Sequence, residues 1–471
     1  MKFRIEYDSL GKKKVPVNAY YGIQTQRAID NFPISGLKYP SEFIDAYISI
    51  KKAAAVTNNH LGLLNNKFAR AIIKTTDEIF QGKFRNQFLV DVFQMGAGTS
   101  FNMNCNEVIA NRSNEILGEK LGKYYPIHPN DHVNMSQSTN DTFPTAMRIS
   151  TLHTILNLES EISNLSSSFS SKAKEFNLVI KSARTHLQDA VPITLGQEFS
   201  AYSLTIKKSL QEIQHSKKSL YVLGIGGSAA GTGINTHPKY SSTIIKNLST
   251  QLDAKFILSR DFRESMQSQQ DVAHLSSTLR ILSLELTRIC NDLRLLSSGP
   301  RTGFSEIILP AVAPGSSIMP GKVNPSIPEM VNMVCFQVIG CDTGINFAVQ
   351  AGQLELNVMM PMIAINLLFS INILTNAIRQ FRLLCVDQII ANKETCRKYA
   401  ENSIGLATIL NTLIGYSAAS KIVQKASDSG LPILDVIKQE KILTDNEISL
   451  LFNSIDITKP GMPKLNKNKK K

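Results

Sequence analysis

Residues 315–325 read Gly-Ser-Ser-Ile-Met-Pro-Gly-Lys-Val-Asn-Pro. Pro314, Pro320, Pro325 and Pro328 keep the segment out of helix, and Gly315 and Gly321 let it bend. Between them stand Ser316, Ser317, Lys322 and Asn324: two hydroxyls, an ammonium and a carboxamide. A linker would carry mixed polar residues without this spacing, so the loop reads as chemistry rather than connection.

Three further polar segments interrupt the chain. Residues 96–104, Gly-Ala-Gly-Thr-Ser-Phe-Asn-Met-Asn, let backbone approach a ligand and offer Thr99 and Asn104 as neutral donors. Alone, this segment reads equally well as a helix start with a good cap. Residues 136–141, Ser-Gln-Ser-Thr-Asn-Asp, place Ser138, Thr139 and Asn140 in a row, a cluster able to bind a carboxylate at a helix start or simply to cap one. Residues 184–190, Arg-Thr-His-Leu-Gln-Asp-Ala, put His186 beside Thr185 in a polar turn. A histidine there is an acid/base candidate, since imidazole titrates near neutral pH; a structural histidine is the plain alternative. Residues 224–229, Gly-Ile-Gly-Gly-Ser-Ala, fit a loose dinucleotide fingerprint. The preceding segment reads as helix, and 235–238, Asn-Thr-His-Pro, would stop a crossover helix early, so this match is read as a decoy.

Long helices must position these segments. Leu158, Ile162, Leu165 and Phe169 step by four and three, as do Leu275, Leu279, Leu282, Leu286, Ile289, Leu293 and Leu296. Such seams predict helices packed nearly parallel. The second seam stops at Ser297-Ser298-Gly299-Pro300. Another helix is expected over 194–222, with Leu204, Leu210, Ile213 and Leu220 inward, and a long helical region over 328–387, broken near Gly352 and Pro361. The first ~140 residues read as short helical pieces and turns, and the segments 434–439 and 446–452 as small helices. Strand-like runs are few. The chain is predicted mainly α, in three parts: 1–139, a central bundle over 140–394 and a small helical part over 395–461, followed by a lysine-rich, disordered tail at 462–471.

The 471 residues carry a net charge of +13, and Lys464, Lys467, Lys469, Lys470 and Lys471 supply part of it. No aromatic interleaving accompanies that tail, so no nucleic-acid partner is expected. The apolar stretch 358–377 contains Pro361, Asn366, Ser370, Asn372 and Asn376, and reads as a core helix rather than a membrane span. Residues 1–17 are charged throughout, so no signal peptide is read there. The six cysteines form no CxxC pair or His/Cys cluster, which predicts reduced thiols in a cytoplasmic protein without a zinc site.

The four segments, in this order, resemble the fumarase/aspartase superfamily. The resemblance runs from Ile5-Glu6 to Thr458-Lys459-Pro460-Gly461 and takes in Ala19-Tyr20-Tyr21-Gly22 and Asn291-Asp292-Leu293-Arg294. Gly-Ala-Gly-Thr-Ser at 96–100, Ser-Thr-Asn at 138–140, and the stretches 298–303, 328–332 and 351–357 lean to the aspartase branch. Residues 233–238, Gly-Ile-Asn-Thr-His-Pro, look more like a fumarase, and Met95 and Met360 depart from the usual aspartase pattern.

The resemblance implies a long central helical bundle with small N- and C-terminal domains. It implies a homotetramer whose active sites each draw on three subunits. The implied reaction is reversible elimination of ammonia from L-aspartate to give fumarate through a stabilised carbanion. By the same resemblance Ser316 is the base. Thr99, Ser138 and Thr139 cradle the carboxylate that takes up charge, and Thr185, Lys322 and Asn324 hold the other. Asn140 and His186 lie near the leaving amino group, and Glu329 orients His186. No metal or organic cofactor is required, although divalent cations activate some relatives. The alternatives are a fumarate hydratase, a non-catalytic member of the fold and, furthest, an NAD enzyme.

Overall fold

The structure is a computed structural model that describes residues 2–452 and 455–461. The lysine-rich stretch 462–471 lies outside the described residues. A hairpin of β1 (Phe3–Asp8) and β2 (Gly11–Pro16) is followed by helices α1 (Ile23–Asn31), α2 (Ser41–His60), α3 (Asn66–Phe80), α4 (Thr99–Ile116) and α5 (Thr139–Glu175). A second hairpin, β3 (Ile180–Thr185) and β4 (Gln188–Thr194), leads into α6 (Leu195–Ser216). Then come β5 (Val222–Leu223), α7 (Tyr240–Gln251), β6 (Ile257–Leu258), α8 (Phe262–Gln267) and α9 (Gln270–Leu296). The strand β7 (Ile307–Ile308) precedes the long helices α10 (Ser326–Gln350) and α11 (Met360–Leu384). Last are β8 (Ile390–Ala391), α12 (Lys393–Asn402), α13 (Ala407–Ile414), α14 (Tyr416–Ser429), α15 (Ile433–Gln439) and α16 (Asp445–Phe452).

The chain forms two compact units, each built from three stretches. Unit 1 holds Met1–Glu159, Gln211–Ser283 and Phe336–Thr375; unit 2 holds Ser160–Leu210, Leu284–Cys335 and Asn376–Lys471.

Both leucine-rich seams are buried along their whole length, on α5 and on α9. The α9 helix ends at Leu296, directly before the Ser-Ser-Gly-Pro stop. One expectation needs correction. Leu204 is 55 % exposed, because the buried stripe of α6 runs through Phe199, Tyr202, Ile206 and Ile213, and a residue two positions past Tyr202 points away from it. The long helical region is broken where expected, between Gly352 and Pro361; Pro361 itself lies in the first turn of α11, where its missing N–H has no helical partner to lose. The break is at 351–359, where Asn357 donates to the carbonyls of Ala348 and Val349 and accepts from the Met359 amide.

The N-terminal region has longer helices than its sequence suggested. The α4 helix is buried on nearly every side, so it shows no amphipathic period. Its asparagines find partners inside: Asn104 donates to Gln87 O, Asn111 to Tyr20 O and Asn114 to Ile127 O. In unit 1, Tyr39, Phe43, Tyr47, Phe101 and Phe143 form one aromatic cluster, bringing α2, α4 and α5 together close to where the last two begin. In unit 2, α13 to α16 bury their own core, including Leu410, Ile433, Val436 and Ile437.

By length and composition Met360–Gln388 could cross a membrane, and 61 % of its most apolar window is buried within the fold, as a core helix would be.

Candidate active site

Unit 1 carries Thr99, Ser138, Thr139 and Asn140 at the starts of two helices. Before α4, Ala97 and Gly98 both take positive φ (58° and 85°), turning the chain sharply into Thr99. Gly98 cannot be replaced there: a Cβ would stand 2.1 Å from the Phe143 ring. Ser138 caps α5, its Oγ accepting from the Asn140 amide at 3.2 Å while its own N–H donates to Asp141 Oδ1 at 3.0 Å. Asn102, one turn into α4, donates from Nδ2 to Thr139 Oγ1 at 3.0 Å. That bond holds the two helix starts side by side. Two N-terminal ends with small hydroxyls form a place suited to a carboxylate. Asn140 donates its Nδ2 to Ala229 O at 2.8 Å, which leaves its Oδ1 to accept.

The dinucleotide-like segment has a different use. Asp141 is fully buried, and its Oδ2 accepts from the amides of Gly226 and Ser228 at 3.0 and 2.9 Å. Burial pushes the Asp141 carboxyl up to about 6, against the backbone donors of Ser138, Ser228 and Gly226. The amides that a pyrophosphate would need are thus spent on the protein's own carboxylate. One local expectation fails: a two-residue strand, β5, does precede the glycines and pairs in parallel with β6.

Unit 2 carries the other residues. Thr185 and His186 sit at the tip of the β3–β4 hairpin. His186 and Leu187 are the two central residues of the turn, both with positive φ (55° and 59°), the mirror-image turn that usually takes Asn-Gly. Such backbone is strained for leucine, and strain of this kind concentrates at functional sites. Both residues are exposed. Behind the tip, buried Glu306 lies 2.7 Å from Lys181 Nζ and 2.9 Å from Arg184 Nη1, and Lys181 also meets Glu198 at 2.9 Å. Burial lowers the Lys181 ammonium, but Glu198 and Glu306 outweigh it and hold the group above its ordinary value. Glu306 thereby fixes the hairpin to the strand that precedes the 315–325 loop. We expect Glu306→Ala to destabilise the protein by about 3 kcal/mol, since it breaks a buried pair, takes the carboxylate from Arg184 and leaves Lys181 only Glu198; an unchanged denaturant midpoint would refute this.

In that loop Ser316 Oγ accepts from the amides of Ile318 and Met319 at 3.2 and 3.0 Å. The Gly315 amide donates to Lys322 O at 2.8 Å, and Asn324 Nδ2 donates to Gly315 O at 2.5 Å, closing a small ring of backbone. A Cβ on Gly315 would stand 2.4 Å from Lys322 O, so glycine is required. Lys322 is exposed. Glu329 opens α10 with Arg294 Nη2 at 4.0 Å, and no contact joins it to His186 among the described residues.

The profile of a family described as Lyase matches residues 11–340, and one described as the fumarase C C-terminus matches 406–459. The chain is 46% identical to an aspartate ammonia-lyase of Bacillus subtilis, over 98% of this chain and 97% of the relative. It is 44% identical to the Escherichia coli K12 protein of the same name, over 97% and 96%. The chain belongs to the fumarase/aspartase family of lyases. A fumarate lyase:delta crystallin structure from Brucella melitensis, bound to cobalt, superposes with a TM-score of 0.94 at 44% identity, covering 98% of this chain and 100% of that one. A class II fumarase from Schistosoma mansoni gives 0.93 at 35%, covering 97% and 99%. The mainly α fold of this lyase is therefore the superfamily fold.

Sequence reading missed Lys51, Asn102, Asp141 and Glu306. For Lys51 a signal existed: it falls four residues after Tyr47 and eight after Phe43, on the buried stripe of α2. The others pair across long stretches of chain and left no local mark. Asn104, offered as a donor to ligand, is instead fully buried, its amide bonded to Gln87 O and Leu89 N.

Proposed function

We propose that this lyase is an aspartate ammonia-lyase, eliminating ammonia reversibly from L-aspartate to give fumarate. The carrying observation is Ser316 Oγ, bonded by two backbone amides on the loop that also carries Lys322. A neutral serine is a poor base, and amide donors with a nearby ammonium stabilise its alkoxide. The alkoxide takes the proton from the carbon next to one carboxylate. The electron pair moves into that carboxylate, making it doubly charged, and then returns to form the C=C bond as the C–N bond breaks. Thr99, Ser138 and Thr139, at paired helix starts, would hold the charge-accepting carboxylate, where fixed dipoles count most in the transition state. Thr185, Lys322 and Asn324 would hold the other, fixing the reacting C–H against the base. Asn140 Oδ1 would accept from the leaving amino group, with His186 beside it and Glu329 orienting His186.

Our reading includes a homotetramer with sites shared by three subunits. Its support is the exposure of Met333, Phe336 and Phe347 along one face of α10, together with exposed Ile318, Thr185 and His186. The elimination as written uses no metal or organic cofactor, although a divalent cation could act as an activator. Six buried free thiols support a reducing, cytoplasmic setting, which cell fractionation tests.

Fumarate absorbance followed with L-aspartate and, separately, with L-malate tests the function, with and without a chelator. We expect fumarate from aspartate and none from malate. Turnover of malate alone would make the protein a fumarate hydratase, the reading that residues 233–238 favour.

A further inference from the structure

Lys51 is fully buried on α2, in unit 1. No carboxylate bonds to it among the described residues. Its Nζ donates to three amide oxygens: Asn102 Oδ1 at 2.7 Å, Gln137 Oε1 at 2.9 Å and Asn134 Oδ1 at 3.0 Å. Burying an ammonium without an anion is costly, and burial lowers this one to about 7.

The hydrogen-bond directions show what the charge does. An ammonium can only donate, so the Asn102 carboxamide must turn its oxygen to Lys51. Its nitrogen must then face away. Its two N–H groups meet Asn134 Oδ1 at 3.2 Å and Thr139 Oγ1 at 3.0 Å. Thr139 Oγ1 is therefore an acceptor in that bond, and its own proton has no acceptor among the described residues. That proton is left for a ligand to accept. We propose that Lys51 is a positioning residue that acts through Asn102, forcing the Thr139 hydroxyl to donate to the substrate carboxylate that gains charge in the transition state.

The proposal rests on the ammonia-lyase reading and adds a residue to it. The same arrangement puts Lys51 Nζ, two hydrogen bonds removed, behind the hydroxyl proposed to meet the charge build-up. Its effect is therefore greatest when that charge is fully developed, which places it on kcat more than on KM.

Two variants test it, with the wild-type protein assayed first on L-aspartate. Lys51→Met should lower kcat about 10- to 100-fold with a smaller change in KM, by comparison with loss of one oxyanion donor. Asn102→Asp is the sharper test because its thermal midpoint and its kcat report on the structural role and the positioning role separately. The introduced carboxylate would pair directly with Lys51, which offsets the loss of the N–H that Asn102 donates to Asn134 Oδ1. That carboxylate, however, would accept the Thr139 proton and take it from the substrate. We expect a thermal midpoint close to wild type together with a kcat at least about tenfold lower. Wild-type kcat in Asn102→Asp would overturn the proposal. So would losses in Lys51→Met that fall on KM alone. If wild type itself fails to convert aspartate, the functional reading falls instead, and the two failures are distinguishable.

Discussion

Ser316→Ala is expected to lose turnover by about 10²- to 10⁴-fold, the range for removal of a general base, while folding and assembly stay intact. The structure explains the second half of that expectation. Ser316 bonds through its side chain only to the amides of Ile318 and Met319, among the described residues, on a loop that is largely exposed. The ring closed by Gly315 N to Lys322 O and by Asn324 to Gly315 O does not involve that hydroxyl. Removing it would take the proposed base and leave the frame. Steady-state kinetics with circular dichroism and light scattering check both halves. A rate within about threefold of wild type would remove Ser316 from the mechanism. The same variant tests the shared site. Mixed with Thr139→Val after gentle dissociation, it should regain part of wild-type turnover, because some reassembled sites would draw an intact serine and an intact threonine from different subunits. No recovery would count against sites shared between subunits.

Lys322→Ala is expected to raise the KM for aspartate about 30-fold, equivalent to about 2 kcal/mol for a charge-assisted bond to carboxylate. The backbone of Lys322 holds Gly315, but its exposed side chain has no partner among the described residues, so truncation should leave the loop in place. Because Lys322 shares the loop with Ser316 and is proposed to help stabilise its alkoxide, kcat should fall as well, by less than in Ser316→Ala. A KM unchanged from wild type would refute the carboxylate role. High salt should weaken the wild-type KM more than that of Lys322→Ala, since the variant has lost the charge that salt screens.

How much of this could be read from the residues alone depended on range. The heptad seams on α5 and α9 were legible because a helix repeats its buried face every three or four residues, and both seams are buried throughout. The 315–325 loop was legible because prolines and glycines act on the backbone where they stand. The α4 helix was underestimated for the opposite reason. It is surrounded, so its buried asparagines erase the apolar period. The hairpin tip at His186 was read as a turn but not as a strained one, because neither His186 nor Leu187 announces positive φ as glycine would.

The sequence by itself determined the family, the helical frame and the inventory of hydroxyls, amides and cations that the chemistry needs. Those follow from local periodicity, backbone stereochemistry and residue type. Only the tertiary structure decided which polar groups face which. It gave the Gly224–Ala229 amides to Asp141, 85 or more residues away in the chain, and tied the His186 hairpin to Glu306. It also set Lys51 behind Asn102 and Thr139. The physical reason is that a buried charge or amide must find a partner of the right sign within about 3 Å. Packing of distant helices, which no local pattern encodes, settles who that partner is.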